Sequence, residues 1–239
     1  MVGPNQQVYT RTQSAEAVDA GLRSYMLRVY NYMSLGVAFT GALSFLIASN
    51  EQLVMSLGGL SLVFFIGILA MGFIAPKIIM TKSIVAAQVA YWAYAGLWGV
   101  ALAPMFYYYG QLDPFMIVRA FLITAGAFAG VSIYGYTTKR NLSAFATFFT
   151  MAVIGLLIAL VVNWLFVGSS MMSLLISVAV VLIFSGITAW QTQMIKNMYL
   201  EQDMGEGAQR KAIFGAYMLY GSFITMFIYI LSILGMMRE

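Results

Sequence analysis

The side chains of this 239-residue chain that could carry chemistry are mostly uncharged. The sequence has no histidine and no cysteine, which removes the commonest general base, the thiolate nucleophile and the softer metal ligands. Polar residues recur instead at three- and four-residue spacing in two apolar stretches, which places them along one face of each of two helices. The first stretch carries Ser173, Ser177, Ser185, Thr188 and Thr192, with Gln191 beside them, and the second carries Ser222, Thr225 and Ser232.

A polar stripe on an apolar helix turns toward other helices, because lipid offers no hydrogen-bond partner. Two interpretations of these stripes stay open: hydrogen bonding between helices, or the lining of a water-accessible cavity. Direct contact between Gln191 and Ser222 does not follow from the sequence, because their depths along the two helices differ.

The acidic residues argue against intramembrane catalysis. None of the eight lies in the middle of an apolar stretch; they are Glu16, Asp19, Glu51, Asp113, Glu201, Asp203, Glu206 and Glu239. An aspartyl protease needs two membrane-embedded aspartates, and a serine protease of the membrane interior needs a histidine. We therefore expect no enzyme, no metal and no cofactor.

The composition indicates an all-α integral membrane protein. Hydrophobic residues make up 62% of the chain and charged residues 8%, against about 25% charge in soluble domains. The net charge of +4 is explained by basic cytoplasmic loops, so we expect the lipid bilayer as the partner and no nucleic acid.

Seven apolar segments have about the 20 residues needed to cross the bilayer. Residues 1–24 form a polar cytoplasmic N-terminal segment, either an amphipathic helix or a disordered tail, and residues 25–239 form the transmembrane domain. The predicted spans are 25–48, 53–75, 83–108, 115–136, 143–166, 171–195 and 212–235.

Basic residues predict the orientation. With the N-terminus in the cytoplasm and the C-terminus on the opposite side, ten basic residues lie inside, and only Arg119 and Arg238 lie outside. Arg119 lies about one turn into the fourth span. We interpret it as a side chain that reaches the headgroups, with pairing to Asp113 or a role in gating as alternatives.

Four stretches, in order and at the right spacing, carry a resemblance to a known family. They are LRVYNYMSLGVAFTGAL (27–43), GVSIYGYTTKRNLSAF (130–145), FSGITAWQTQMIKNMY (184–199) and AIFGAYMLYGSFITMFIYILSILG (212–235). The chain resembles the Bax inhibitor-1 family, also called the transmembrane Bax inhibitor motif family, over about residues 22 to 237. The resemblance implies seven transmembrane helices with the last helix at the centre.

The family resemblance also implies a switch that this chain lacks. Members typically carry one aspartate at the end of helix six and another in helix seven, thought to form a proton-sensing latch. Gln191 and Ser222 stand at those positions, and Asn141 stands where an acid follows helix four. Neither glutamine nor serine titrates at biological pH.

Two functions follow from the resemblance. Some bacterial members are described as modulators of a membrane-bound AAA protease, and others as pH-sensitive calcium leak channels. Because the titrating pair is absent, we favour a regulator or adaptor of membrane proteolysis or stress response. The alternative is a calcium or other cation leak channel without the pH switch. Short loops and basic loop charge suit a bacterial inner membrane, and a mitochondrial inner membrane also satisfies them.

Overall fold

The computed structural model describes residues 4–200 and 205–238, with side chains from residue 20 onward. All the regular elements within these ranges are helical. The α-helices are α1 (Pro4–Ala48), α2 (Glu51–Gly58), α3 (Ser61–Thr81), α4 (Ile84–Leu112), α5 (Met116–Thr137), α6 (Ala146–Val162), α7 (Ser170–Asn197) and α8 (Glu206–Met236). A 3₁₀ turn (Leu142–Phe145) precedes α6 and a π turn (Asn163–Val167) follows it.

Seven of these helical segments are long and apolar enough to span a membrane, as the sequence predicts. The first spanning segment is the Ala20–Ala48 part of α1. The backbone of α1 is helical from Pro4, but the side chains of residues 4–19 lie outside the description. The division at residue 24 therefore stays a prediction.

The predicted bounds of the second span are wrong. Instead of a helix over 53–75, the short helix α2 ends at Gly58, and the spanning helix α3 runs from Ser61 to Thr81. The paired glycines at 58 and 59 favour this break because glycine is a poor helix former. Asn50 starts α2 by accepting the Leu53 N–H with its side-chain oxygen.

Pro76 lies inside α3, although the predicted span 53–75 ends just before it. Proline has no N–H, so the Gly72 carbonyl four residues earlier loses its intrahelical donor. The Tyr217 hydroxyl of α8 donates to the carbonyl oxygens of Gly72 (3.2 Å) and Met71 (3.3 Å). This contact supplies the missing donor and ties α3 to α8.

The last helix lies at the centre of the bundle, as predicted. In the most apolar window of α8, 56% of the residues are buried, against at most 33% in the other spans. α8 packs against α1, α3, α4, α5 and α7. α6 is the opposite case: it has no buried residue, packs on α7, and turns the rest of its surface to lipid.

Two pairs of outer helices pack on α8 while keeping their own backbones apart. The α1/α5 cleft opens between α1 and α5 and has a volume of about 660 Å³. The α3/α7 cavity, of about 300 Å³, lies between α3 and α7 over the surface of α8.

A neutral polar junction as the candidate functional site

Gln191 of α7 and Ser222 of α8 are in direct contact. The Ser222 hydroxyl donates to Gln191 Oε1 at 2.8 Å, and the residues are 9% and 2% exposed. The two positions that the family resemblance singles out therefore form one buried hydrogen bond, and this contact between Gln191 and Ser222 is the junction. Both partners are neutral, so the bond joins α7 to α8 without a group that titrates near neutral pH.

The same pair borders the α3/α7 cavity. Its lining includes Pro76 from α3, Gln191 from α7, and Tyr217, Ser222 and Thr225 from α8. Both interpretations of the polar stripes thus have a structural counterpart: one hydrogen bond between helices, and one edge of a cavity. The rest of the lining is largely apolar, which disfavours a hydrated charge there.

The other residues of the polar stripes differ in the groups that their hydroxyl groups contact. Thr188 is fully buried and contacts Met226 Sδ of α8 at 3.9 Å while donating to the Phe184 carbonyl of its own helix. Ser185 and Thr225 donate to carbonyl oxygens four residues earlier in their own helices. Ser232 is partly exposed, about 15 Å along α8 from Ser222.

Thr192 points away from Gln191 and toward α5. Its hydroxyl hydrogen-bonds Ser132 at 2.9 Å, and Ser132 in turn hydrogen-bonds the Tyr30 hydroxyl of α1 at 2.8 Å. This chain of three hydroxyl groups links α7, α5 and α1. Two of its members, Tyr30 and Ser132, line the α1/α5 cleft.

Gln193 is a residue whose role sequence analysis missed. Its side chain fastens the loop after α5: Oε1 accepts the Leu142 N–H at 2.8 Å, and Nε2 donates to the Arg140 carbonyl at 2.8 Å. Nearby, Lys196 Nζ donates a hydrogen bond to the Tyr136 carbonyl oxygen at 2.9 Å. A signal existed in the sequence, since residues two apart on a helix face different directions, so Gln191 and Gln193 could not share one partner.

Arg119 lies on the opposite side of the bundle from this junction. It pairs with Asp113 at 2.8 Å, and Arg238 pairs with the same carboxylate oxygen at 2.7 Å. The Phe115 N–H donates to Asp113, and with the two guanidinium groups it holds the pKa of the Asp113 carboxyl below its ordinary value, against the effect of burial. Asp113 is therefore a buried carboxylate, but one paired at the far end of the bundle.

Fold and junction together define a polytopic helical membrane protein whose central helix is joined to α7 by a buried hydrogen bond between uncharged side chains. The family described as "Inhibitor of apoptosis-promoting Bax1" matches residues 22–239. The chain belongs to this family, the Bax inhibitor-1 family.

The chain is similar to several bacterial proteins over nearly its full length. It is 38% identical to an uncharacterized protein of Deinococcus radiodurans, with 89% of this chain and 90% of the relative covered. It is 36% identical to the Rickettsia prowazekii protein RP147, covering 96% and 97%. It is 34% identical to the inner membrane protein YbhL of Escherichia coli K12, covering 96% and 99%.

Proposed function

We propose that this protein is a regulator or adaptor in the bacterial inner membrane, acting on a process such as membrane proteolysis or stress response. The observation that carries the proposal is the buried hydrogen bond between Ser222 and Gln191. It occupies the latch positions of the family and keeps α7 and α8 together at any biological pH. The name of the Escherichia coli relative supports the inner-membrane location.

The near side of the bundle is the side at which the first span begins, at Ala20. The loops on this side supply charge for a partner. The exposed residues Lys82 and Lys139 lie at the ends of spans on the side where α1 enters the bundle. Glu201 and Asp203, which belong to the predicted loop between the sixth and seventh spans, lie outside the described residues. A membrane complex such as an AAA protease is the expected partner, with the N-terminus in the cytoplasm.

Purification tests the adaptor directly. Isolation of the full chain in a mild detergent, followed by mass spectrometry, is expected to show a membrane protein at a stoichiometric ratio. The Ser222→Ala variant weakens the helix contact without adding charge. Comparing the amount of partner retained by this variant and by the wild type shows whether partner binding depends on the junction. A monomeric chain that conducts ions in vesicles, without any stoichiometric partner, contradicts the proposal.

Flux measurements test the absence of a pH switch. In calcium-loaded vesicles we expect no leak that changes steeply with pH, since neither Gln191 nor Ser222 titrates at biological pH. A pH-steep calcium leak abolished by Gln191→Ala refutes this expectation.

Restoring two acids should create the missing switch. In a chain carrying Gln191→Asp and Ser222→Asp, adjacent carboxylates cannot both ionise easily, so one pKa rises toward neutrality. We expect a titrating step in flux or in thermal stability. The matched control is Gln191→Asn with Ser222→Asn, which has the same shape without the charge and should show no such step.

The α3/α7 cavity favours a second candidate, a cation leak without pH control. Gln191 and Ser222 belong to its lining, so water that entered the cavity would reach the junction. Under this alternative, a monomeric sample conducts cations equally between pH 5 and pH 8.

A further inference from the structure

The α1/α5 cleft has a polar end and an apolar end. Arg23, exposed on α1, lies at the near-side end together with Tyr136, while Ala38 and Phe121 line the deep end. Among the residues that line the cleft, Arg23 is the charged one. One cation at headgroup level above an apolar channel suits a ligand that has a charged head and an apolar tail.

The dimensions of the cleft match one lipid chain. From Arg23 to Ala38 the α1 helix rises about 22 Å, which is close to the thickness of one leaflet including its headgroup region. Spread over this length, the cleft volume of about 660 Å³ gives a mean cross-section of about 30 Å². That is wide enough for a polymethylene chain and too narrow for a helix of about 10–12 Å diameter.

The cleft opens directly to the bilayer. Leu27 at its rim is 53% exposed and Ile133 is 64% exposed. The floor is fixed by packing: Phe223 of α8 lies 5.5 Å from the Phe128 ring and 5.9 Å from the Phe121 ring. A lipid chain can therefore enter from the side and lie on a rigid aromatic surface.

We propose that the α1/α5 cleft binds an anionic phospholipid of the near-side leaflet, with one acyl chain along the cleft and the phosphate at Arg23. Arg23 forms no ion pair with the described residues, so its guanidinium is available to a phosphate. A guanidinium pairs with phosphate through two parallel hydrogen bonds, whereas a zwitterionic lipid brings its own cation to the same place.

Native mass spectrometry of the full chain, released from bilayers of equal phosphatidylglycerol and phosphatidylcholine, tests the charge preference. We expect the wild type to retain phosphatidylglycerol preferentially, and Arg23→Gln to reduce that preference about fivefold, the effect of one basic residue at an anionic surface. Arg28→Gln is the matched control, an exposed arginine of α1 outside the cleft lining. An equal loss in both variants overturns the proposal.

Filling the cleft tests the acyl-chain position. Ala129→Trp should lower the retention of both lipids severalfold, whereas Leu122→Trp, at an exposed position of α5 outside the cleft, should leave it unchanged. Unchanged retention in Ala129→Trp overturns the proposal.

A measurement on the unmodified chain does not depend on the folding of any variant. Phosphatidylglycerol with a photoreactive acyl tail should form adducts on cleft residues such as Met33 and Val37. Adducts confined to the lipid-facing surface of α6, or cross-links between two copies of the chain at the cleft, contradict the assignment.

Discussion

At the scale of single residues, the two glutamines of α7 do different work. Gln191 accepts a hydrogen bond from Ser222 of α8, and Gln193 holds backbone groups of the loop between α5 and α6. Their side chains leave the helix in different directions, as residues two apart must. The junction and the loop anchor are therefore separable by mutation.

Replacing Gln193 by Ala should destabilise the loop at residues 138–142. The change removes the partner of the buried Leu142 N–H, at a cost of about 1–3 kcal/mol, and that of the Arg140 carbonyl, which costs less because water can replace the donor at this partly exposed group. Hydrogen exchange of this loop, followed by mass spectrometry, should speed up markedly. Gln52→Ala, at an exposed glutamine, is the control, and equal protection in both variants would show that the loop does not depend on Gln193.

At the scale of helices, close approach of α5 and α7 requires a glycine. A Cβ added at Gly135 would overlap the carbonyl oxygen of Ala189, and backbone cannot move aside as a flexible side chain can. The hydrogen bond between Ser132 and Thr192 lies one turn away and depends on the same approach.

Gly135→Ala should therefore lower the thermal stability of the protein by the equivalent of about 1–3 kcal/mol, the usual effect of overpacking. Gly126→Ala on the same helix meets nothing within 4 Å, so it should be neutral or slightly stabilising because alanine is the better helix former. Unfolding in detergent, followed by circular dichroism, compares the two. A stable Gly135→Ala variant would mean that α5 and α7 can separate freely.

Pro76 and Tyr217 form a second pair that acts between helices. Tyr217→Phe should destabilise the protein by about 0.5–1.5 kcal/mol, because it removes the donor to the Gly72 carbonyl. In a chain that carries Pro76→Ala, the restored N–H supplies that donor, so the same Tyr217→Phe change should cost less. A double-mutant cycle on thermal unfolding measures the coupling. Additive effects would show that the tyrosine acts independently of the proline.

At the scale of the whole molecule, an ion-pair cluster at the far side of the bundle centres on one carboxylate. Asp113, after α4, binds both Arg119 of α5 and Arg238 after α8, so one carboxylate ties three parts of the far side together. The arginines are about half exposed, at 54% and 48% of their side chains, which lets water screen them and limits the contribution of each pair.

The stability that Asp113 contributes should depend on pH only in acid. Its pKa is lowered in the folded state, so the contribution is complete above the unfolded value of about 3.9 and is lost as the pH falls through the folded value. The difference in melting temperature between wild type and Asp113→Asn should be constant from pH 5 to pH 8 and shrink below pH 4. A difference that changes near neutral pH would make Asp113 a physiological sensor.

The sequence by itself determined the class of molecule and the absence of acidic residues from the middle of the spans. The number of spans and the family also followed from it, because apolar length and the order of the family motifs are local properties of the chain. The polar stripes of α7 and α8 were readable for the same reason: helical spacing alone places such residues on one face.

Tertiary structure alone decided which polar groups meet. Contact between Gln191 and Ser222, the capture of the loop by Gln193, and the pairing of Asp113 with Arg238 all join residues that are 31 to 125 positions apart. Their depths and rotations depend on how the helices pack, and no local pattern encodes that. The continuation of α3 through Pro76 was also decided there, because Tyr217 of a distant helix supplies the hydrogen bond that proline removes.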